Sequence, residues 1–200
     1  LLSLLNAEST LFSNELISNR NSILRENITK WGCANTIVTQ ANATDYSQSG
    51  LLADIILVDA PCSGEGMFRK DKNAISEWSE ENVQHCSLRQ QRIVEETAAA
   101  LKQGGYLIYS TCSYSAAEDE QILDWLVQEF ALEPIRLTIQ EDWGVTEVQQ
   151  GSAWGYRCWP DRVKGEGFFL ACFRNTGGAS RMNARSRKEK LGRASKKKVA

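Results

Sequence analysis

The sequence predicts an α/β domain with a mainly parallel sheet. Short, uninterrupted apolar runs alternate with stretches in which apolar residues recur at helical spacing, and strands buried on both faces of a parallel sheet have that apolar character. The chain has 200 residues, of which 42% are hydrophobic and 24% are charged. This composition is that of an ordinary globular domain with a sizeable core. No apolar run approaches the ~20 residues of a membrane span.

The elements follow from local patterns. The apolar and β-branched runs predict strands over residues 9–12, 36–39, 54–58, 106–110 and 167–173. Helical spacing predicts helices over residues 17–31, 78–101 and 117–130. Gly32 is expected to end the first helix as a C-cap. The polar residues 41–50 and the segment that contains Gly64 and Gly66 are predicted to be loops.

The net charge of −2 hides an uneven distribution. Residues 175–200 contain nine Lys and Arg and one Glu, whereas the preceding 174 residues contain fourteen Lys and Arg and twenty-four Asp and Glu. We therefore expect a domain over residues 1–174 and a basic, flexible tail over residues 175–200. Such a tail either faces nucleic acid or is a solvated linker.

Cysteine usage points to a reducing compartment. The six cysteines, at positions 33, 62, 86, 112, 158 and 172, form no CxxC pair, and the chain has one histidine. Neither a zinc site nor a disulfide framework is expected. Because residue 1 opens without a basic lead or a cleavage site, no signal peptide is expected either. A cytoplasmic chain with free thiols is the prediction.

Polar and reactive residues follow four predicted strands. In open α/β sheets, ligands bind outside the carboxyl ends of the strands. A carboxylate there either accepts hydrogen bonds from a ribose or serves as a charge at a helix N-terminus. The residues at this edge are Glu15 after the first strand, Asn42 after the second, Asp59 and Cys62 after the third, and Cys112 after the fourth.

The turn at residues 59–66, Asp-Ala-Pro-Cys-Ser-Gly-Glu-Gly, has the features of a site. Pro61 stiffens it, and its glycines permit close backbone approach to a flat ligand. Cys62 is either a reactive thiol or a small buried hydrophobe. It is expected a few ångströms from Cys112, because neighbouring parallel strands are ~4.8 Å apart. Two facing thiols indicate either a redox pair or two chemical roles at one base.

Three segments resemble a known family. The turn at 59–66, followed by Arg-Lys-Asp at 69–71, resembles motif IV of the Nop/Sun-type RNA (cytosine-5) methyltransferases. Ser-Thr-Cys-Ser-Tyr-Ser at 110–115, followed by Glu-Asp-Glu at 118–120, resembles their motif VI. Residues 157–160 and 165–169 resemble the closing segment. The similarity covers residues 1–174 and is closest to the bacterial branch that modifies small-subunit ribosomal RNA.

The resemblance implies a Rossmann-like class I methyltransferase core that is incomplete at its amino end. The family's first strand and its glycine-rich motif I are expected before residue 1, so the chain looks truncated. The implied cofactor is S-adenosylmethionine, and the implied reaction is methyl transfer to C5 of a cytosine in RNA, through a cysteine bonded to C6. The implied cofactor contacts are Glu15, Asn42, Asp59 and Pro61, and Asn42 stands where many members have Asp.

The resemblance also implies catalytic roles. Cys112 corresponds to the nucleophile, Cys62 to the cysteine linked to product release, and Asp59 to the acid that contacts the cytosine. Four basic residues are expected either to contact RNA phosphates or to form an ordinary solvated face: Arg69, Lys70, Arg89 and Arg92.

RNA is therefore the expected partner, and we expect a monomer with no metal and no membrane association. Two alternatives remain open. One is an inactive or partial fragment that retains only RNA binding. The other is a Rossmann-like methyltransferase of a small molecule, against which the paired thiols argue, because methylation of oxygen or nitrogen needs no covalent thiol.

Overall fold

The structure, a computed structural model, describes residues 1–177. Most of the tail predicted over residues 175–200 therefore lies outside the described residues. The chain divides into two compact units, Leu1–Ser49 and a second unit that begins at Gly50. Among the described residues, no helix combines the length and the apolar character that crossing a membrane requires.

The first unit is a small parallel sheet with two helices. After a short 3-10 helix at Leu2–Leu4, its elements are β1 (Leu11–Asn14), α1 (Ser18–Trp31), β2 (Thr36–Thr39) and α2 (Ala43–Gln48). The two strands pair in parallel, with Asn14 opposite Thr39. As predicted, α1 ends at Gly32, which adopts a left-handed conformation with φ of 77°.

Helix α2 corrects the prediction of a loop over residues 41–50. Asn42 precedes the helix as its N-cap, and the Asp45 side chain accepts a hydrogen bond of 2.7 Å from the Asn42 backbone N–H. An acid three residues after a capping residue is a local signal for a helix N-terminus. The polar composition of the segment concealed that signal.

Over residues 50–177, the second unit contains a six-stranded sheet and three α-helices. The strand order is β3-β4-β8-β7-β6, and β5 also pairs with β8. Short 3-10 helices lie at Glu65–Met67 and Glu141–Trp143. The elements are β3 (Ala53–Asp59), α3 (Lys72–Glu77), α4 (Glu80–Ala98), β4 (Leu101–Thr111), α5 (Glu120–Glu129), β5 (Leu132–Ile135), β6 (Thr146–Gln150), β7 (Ala153–Cys158) and β8 (Phe168–Asn175).

The α/β class is confirmed, and the sheet is mixed. Parallel pairing joins β1 to β2 and β3 to β4, whereas the described pairs formed by β5, β6, β7 and β8 are antiparallel. The expectation of a mainly parallel sheet thus holds only up to residue 111. Strands β6 and β7 were not predicted; they are joined by a tight turn at Gly151, which an antiparallel pair permits without a crossover helix.

The predicted helix over 78–101 is shorter than expected, because Ser79 caps α4 and the helix ends at Ala98. The glycine pair 104–105, which follows the predicted helix, lies inside β4. A continuous hydrophobic core packs the sheet against α4 and α5. Its fully buried members include Val94, Leu107, Tyr109, Ile122, Leu126, Phe169 and Phe173. Burying each large apolar side chain contributes roughly 1.5–3 kcal/mol, so the carboxyl ends of β3 and β4 have firm support.

Candidate active site

The parallel pair β3 and β4 brings the two motif segments together at one edge of the sheet. Asp59, the last residue of β3, lies opposite Ser110, whose hydroxyl donates a hydrogen bond of 3.1 Å to Asp59 Oδ1. The Ala60 N–H donates to the Ser110 carbonyl at 2.8 Å. The chain therefore leaves the sheet in two adjacent turns, residues 60–66 and residues 112–119. Asp59, at the end of β3, is exposed to solvent.

The two thiols of these turns are in direct contact. Cys62 Sγ and Cys112 Sγ are 3.1 Å apart, and both cysteines are free and partly exposed. The predicted proximity is confirmed. The Gly66 N–H donates to the Cys112 carbonyl at 2.8 Å, and a Cβ at Gly66 would lie only 2.6 Å from that oxygen. Because Gly66 has no side chain, its backbone can approach Cys112 closely. The sequence analysis had predicted close approach to a flat ligand instead.

The contact separates the acidities of the two thiols. The hydrogen bond from Cys62 lowers the pKa of Cys112 from 9.0 to about 7, against burial and the negative charge of Asp59, which raise it. The same hydrogen bond, together with burial, raises the pKa of Cys62. Near neutral pH, Cys112 is therefore the more acidic of the two thiols, and Cys62 keeps its proton and donates the hydrogen bond between them.

A helix N-terminus is not the main cause of the low pKa of Cys112. Helix α5 begins only at Glu120, eight residues further along the chain. The backbone groups that lower the pKa of Cys112 belong to Cys112 itself and to Gly66, and they act less strongly than Cys62.

Two buried carboxylates support the turns. Both belong to the motif segments, but the sequence assigned neither of them a role. Glu65 accepts a hydrogen bond from Trp78 Nε1 at 2.9 Å, from the Ser113 hydroxyl at 3.0 Å and from the Tyr114 N–H. Glu118 has no exposed surface and bonds to both turns and to α4. No local pattern identifies these roles, because all but one of these hydrogen bonds join residues 13 to 55 positions apart, the exception being the bond from Ser113, five positions before Glu118.

The predicted closing segment packs behind the second turn. The buried Arg157 guanidinium lies 3.0 Å from Asp119 Oδ2 and donates to both Glu120 oxygens at 2.7 and 2.6 Å. Burial raises the pKa of Asp119 to about 8, although the Thr111 hydroxyl and Arg157 oppose the shift. These contacts tie β7 to the start of α5 and so fix the far end of the turn.

The predicted cofactor residues of the first unit lie at the carboxyl ends of its parallel strands. Glu15 follows β1; its Oε1 accepts from the Ile17 N–H at 2.9 Å, and its Oε2 lies 2.9 Å from Arg20 Nη2. Asn42 follows β2 and is exposed. A carboxylate and an amide at such an edge fit the hydroxyl and amine groups of a nucleoside. In the second unit, the Pro61 carbonyl accepts a hydrogen bond of 3.1 Å from Gln90 Nε2.

The four predicted phosphate contacts lie on the surface. Arg69 and Lys70 are 62% and 61% exposed and lie 3.6 and 4.0 Å from Glu166, which offsets part of their charge. Arg89 and Arg92 are exposed on α4, where Arg92 pairs with Glu96. Within residues 1–177, no cluster of three His, Cys, Asp or Glu side chains is arranged to hold a metal ion.

Comparison with solved structures gives the class of fold. NSun6 from Pyrococcus horikoshii, crystallised with SFG, is similar to the chain with a TM-score of 0.75 and 24% identity, over 88% of this chain and 44% of that one. A methyltransferase homologue from the same organism is similar with a TM-score of 0.66 and 26% identity, over 84% of this chain and 54% of that one. The fold is thus that of an α/β methyltransferase.

The chain belongs to the 16S rRNA methyltransferase RsmB/F family, whose model matches residues 1–174. Ribosomal RNA small subunit methyltransferase F of Aeromonas salmonicida is 36% identical over 173 residues, which are 86% of this chain and 36% of that protein. Its counterpart in Shewanella piezotolerans is 32% identical, over 98% of this chain and 42% of that protein. The chain therefore spans less than half the length of these relatives. The family confirms the predictions of a methyltransferase core and of S-adenosylmethionine as methyl donor.

Proposed function

We propose that the protein containing this chain methylates C5 of a cytosine in small-subunit ribosomal RNA through a transient bond between Cys112 Sγ and C6 of the base. The observation that carries the proposal is the pair of thiols 3.1 Å apart beside the Asp59 carboxylate. Methylation of a ring nitrogen or an oxygen would require neither thiol. Addition to a pyrimidine requires one thiolate, and its reversal benefits from a second, protonated thiol.

The chemistry assigns a step to each side chain. Cytosine C5 is a weak nucleophile, and addition of the Cys112 thiolate to C6 converts the ring into an enamine whose C5 is reactive. S-adenosylmethionine, when bound, supplies the electrophilic methyl group. C5 then gives its proton to water, the electrons of that bond form the C5–C6 double bond, and Cys112 leaves C6 as a thiolate. Because the Cys62 thiol donates a hydrogen bond to that thiolate, it stabilises the leaving group and favours product release.

Asp59 is proposed to recognise the base. Its carboxylate is exposed at the end of β3 and is oriented by the Ser110 hydroxyl. Placed against the base, it would accept a hydrogen bond from the exocyclic amine, and a proton held between Asp59 and the ring N3 would neutralise the negative charge that the added thiolate places on the ring. The target base must be flipped out of a helix or already single-stranded to reach this edge.

The remaining roles are proposals as well. Glu15 is proposed to bind the ribose of the cofactor, with Asn42, Asp59 and Pro61 as its other contacts. The RNA phosphates are assigned to Arg69, Lys70, Arg89 and Arg92 and to the basic residues 175–200, a contribution that falls with added salt. The domain is proposed to cover residues 1–174, and the protein to act as a cytoplasmic monomer.

The test uses the full-length gene. We expect 5-methylcytosine at one or more positions of 16S ribosomal RNA to disappear when the gene is deleted and to return when it is restored. A Cys112→Ala copy should restore nothing. A Cys62→Ala copy should accumulate a covalent RNA–protein adduct, visible as a slowly migrating band on a denaturing gel.

A Cys33→Ala copy serves as the control and should behave as wild type, because Cys33 lies outside both turns. An adduct formed by Cys112→Ala and not by Cys62→Ala would show that the two roles are reversed. Methylation that persists in Cys112→Ala would refute covalent catalysis by this residue.

A further inference from the structure

A single buried carboxylate joins the two cysteine turns to α4. Glu118 Oε1 accepts hydrogen bonds of 2.9 Å from the Ser63 N–H and from Gln90 Nε2. Its Oε2 accepts from the Ser63 hydroxyl at 2.5 Å and from the Ser113 hydroxyl at 2.8 Å. All of these described partners are neutral groups. Because a polar group is costly to bury without hydrogen bonds, Glu118 and these donors hold one another in place.

Two of these donors are the direct sequence neighbours of the two cysteines. Ser63 directly follows Cys62, and Ser113 directly follows Cys112. One oxygen atom of Glu118 therefore accepts a hydrogen bond from the residue after each of the two thiols. Glu118 contacts the turns next to the sulfur atoms without contacting the sulfur atoms themselves.

Helix α4 supports the arrangement from behind. Gln90, which is fully buried, donates to Glu118 and also to the Pro61 carbonyl at 3.1 Å. The Tyr109 hydroxyl lies within hydrogen-bond distance of Gln90 Oε1, at 3.0 Å, and of the Glu118 carbonyl, at 2.7 Å. The carboxylate is thus attached to the rigid core and not to a surface loop.

We propose that Glu118 is a positioning residue that holds Cys62 against Cys112 by bonding to the residue that follows each cysteine. This inference rests on the proposed function, in which the contact between the two thiols prepares the nucleophile. Glu65 makes a second connection between the turns through Ser113 and Tyr114. Because this second connection remains, replacing Glu118 should loosen the contact between Cys62 and Cys112 while the two turns stay folded.

The test measures the acidity of Cys112 in the 200-residue chain. The rate at which iodoacetamide labels the Cys112 peptide is followed against pH by mass spectrometry, and the melting temperature of each variant is recorded. We expect a midpoint near pH 7 for the wild type and a midpoint displaced toward 9.0 for Glu118→Ala. Glu118→Gln, whose amide oxygen still accepts from Ser63 and Gln90, should restore a midpoint close to that of the wild type.

The matched control is Asn175→Ala. Asn175 is also fully buried, and it donates to the carbonyls of Leu101 and Lys102 at 3.1 and 3.0 Å, at the opposite end of β4 from Cys112. This variant should lower the melting temperature and leave the midpoint in place. If it moved the midpoint as far as Glu118→Ala does, the midpoint would report general stability, and the proposal would be wrong.

A milder variant keeps the test decisive if Glu118→Ala does not fold. Replacing Ser63 and Ser113 together by alanine removes the two hydroxyl groups that bond to Glu118 Oε2, together with the bonds that the Ser113 hydroxyl forms with Glu65 and with the Ser115 N–H, and it should also raise the midpoint. A folded chain with either change and an unmoved midpoint would overturn the proposal. Since the labelling requires neither RNA nor methyl donor, its outcome is independent of whether the proposed methylation is correct.

Discussion

Replacing Cys62 by alanine should make Cys112 a weaker acid, because the largest influence that lowers its pKa is the hydrogen bond from the Cys62 thiol. Without that bond, burial and the negative charge of Asp59 remain, and both raise the pKa of Cys112. We therefore expect the pKa of Cys112 to move from about 7 back toward 9.0.

The size of the effect follows from these two values. A thiol with a pKa of about 7 is half ionised at pH 7, whereas one with a pKa of 9.0 is about 1% ionised, so the thiolate falls roughly fifty-fold. The more basic thiolate is intrinsically about eight-fold more nucleophilic over two pKa units, since the Brønsted slope is roughly 0.4–0.5. The net loss of alkylation rate at pH 7 is then only about six-fold.

The pH profile is consequently a sharper readout than the rate at one pH. Labelling by iodoacetamide should rise along a curve whose midpoint is displaced upward in Cys62→Ala, and the variant should react faster than the wild type above about pH 8. The control Cys33→Ala should keep the wild-type midpoint. If Cys62→Ala retains a midpoint near 7, Cys62 does not acidify Cys112 and the reasoning is refuted.

Three further outcomes are expected. Asp59→Asn should lower the midpoint of Cys112 labelling, because the Asp59 charge raises that pKa, while it reduces RNA methylation by the full-length enzyme; an upward displacement would contradict this. Gly66→Ala should destabilise the chain by about 1–3 kcal/mol, because its Cβ would lie 2.6 Å from the Cys112 carbonyl oxygen, and thermal unfolding should show a fall of roughly 2–4 °C per kcal/mol. Oxidation by diamide, which takes up the two thiol hydrogens, should join Cys62 to Cys112, because their sulfur atoms need to close only from 3.1 Å to about 2.05 Å; peptide mapping that found Cys86 in the disulfide instead would contradict the geometry.

The proximity of the two thiols could be predicted because it depends on local and repetitive features. Apolar strands with a buried face have a strongly specified register, and residues that end neighbouring parallel strands lie side by side. Asp59 and Ser110 are such a pair in the structure. The cysteines that follow them, Cys62 and Cys112, were therefore expected to lie a few ångströms apart.

The supporting network could not be predicted in the same way. Glu118 bonds to Ser63 and Gln90, which are 55 and 28 positions away, and no periodic pattern encodes such pairs. The acidification of Cys112 by Cys62 also depends on a distance between side chains and not on a motif. Of the antiparallel strands after α5, β8 was predicted from its apolar run, whereas β5, β6 and β7 escaped prediction; β6, for example, is short and polar and lacks such a run.

The central claim, a bond between Cys112 Sγ and cytosine C6, has a direct measurement. An RNA substrate that contains 5-fluorocytosine would arrest the full-length enzyme after addition, because the final step removes a proton from C5 and fluorine cannot leave in its place. After digestion, tandem mass spectrometry identifies the peptide and the residue attached to the base. We expect the modified base on Cys112. Attachment to Cys62, or no attached peptide under conditions in which the unmodified RNA is methylated, would contradict the claim.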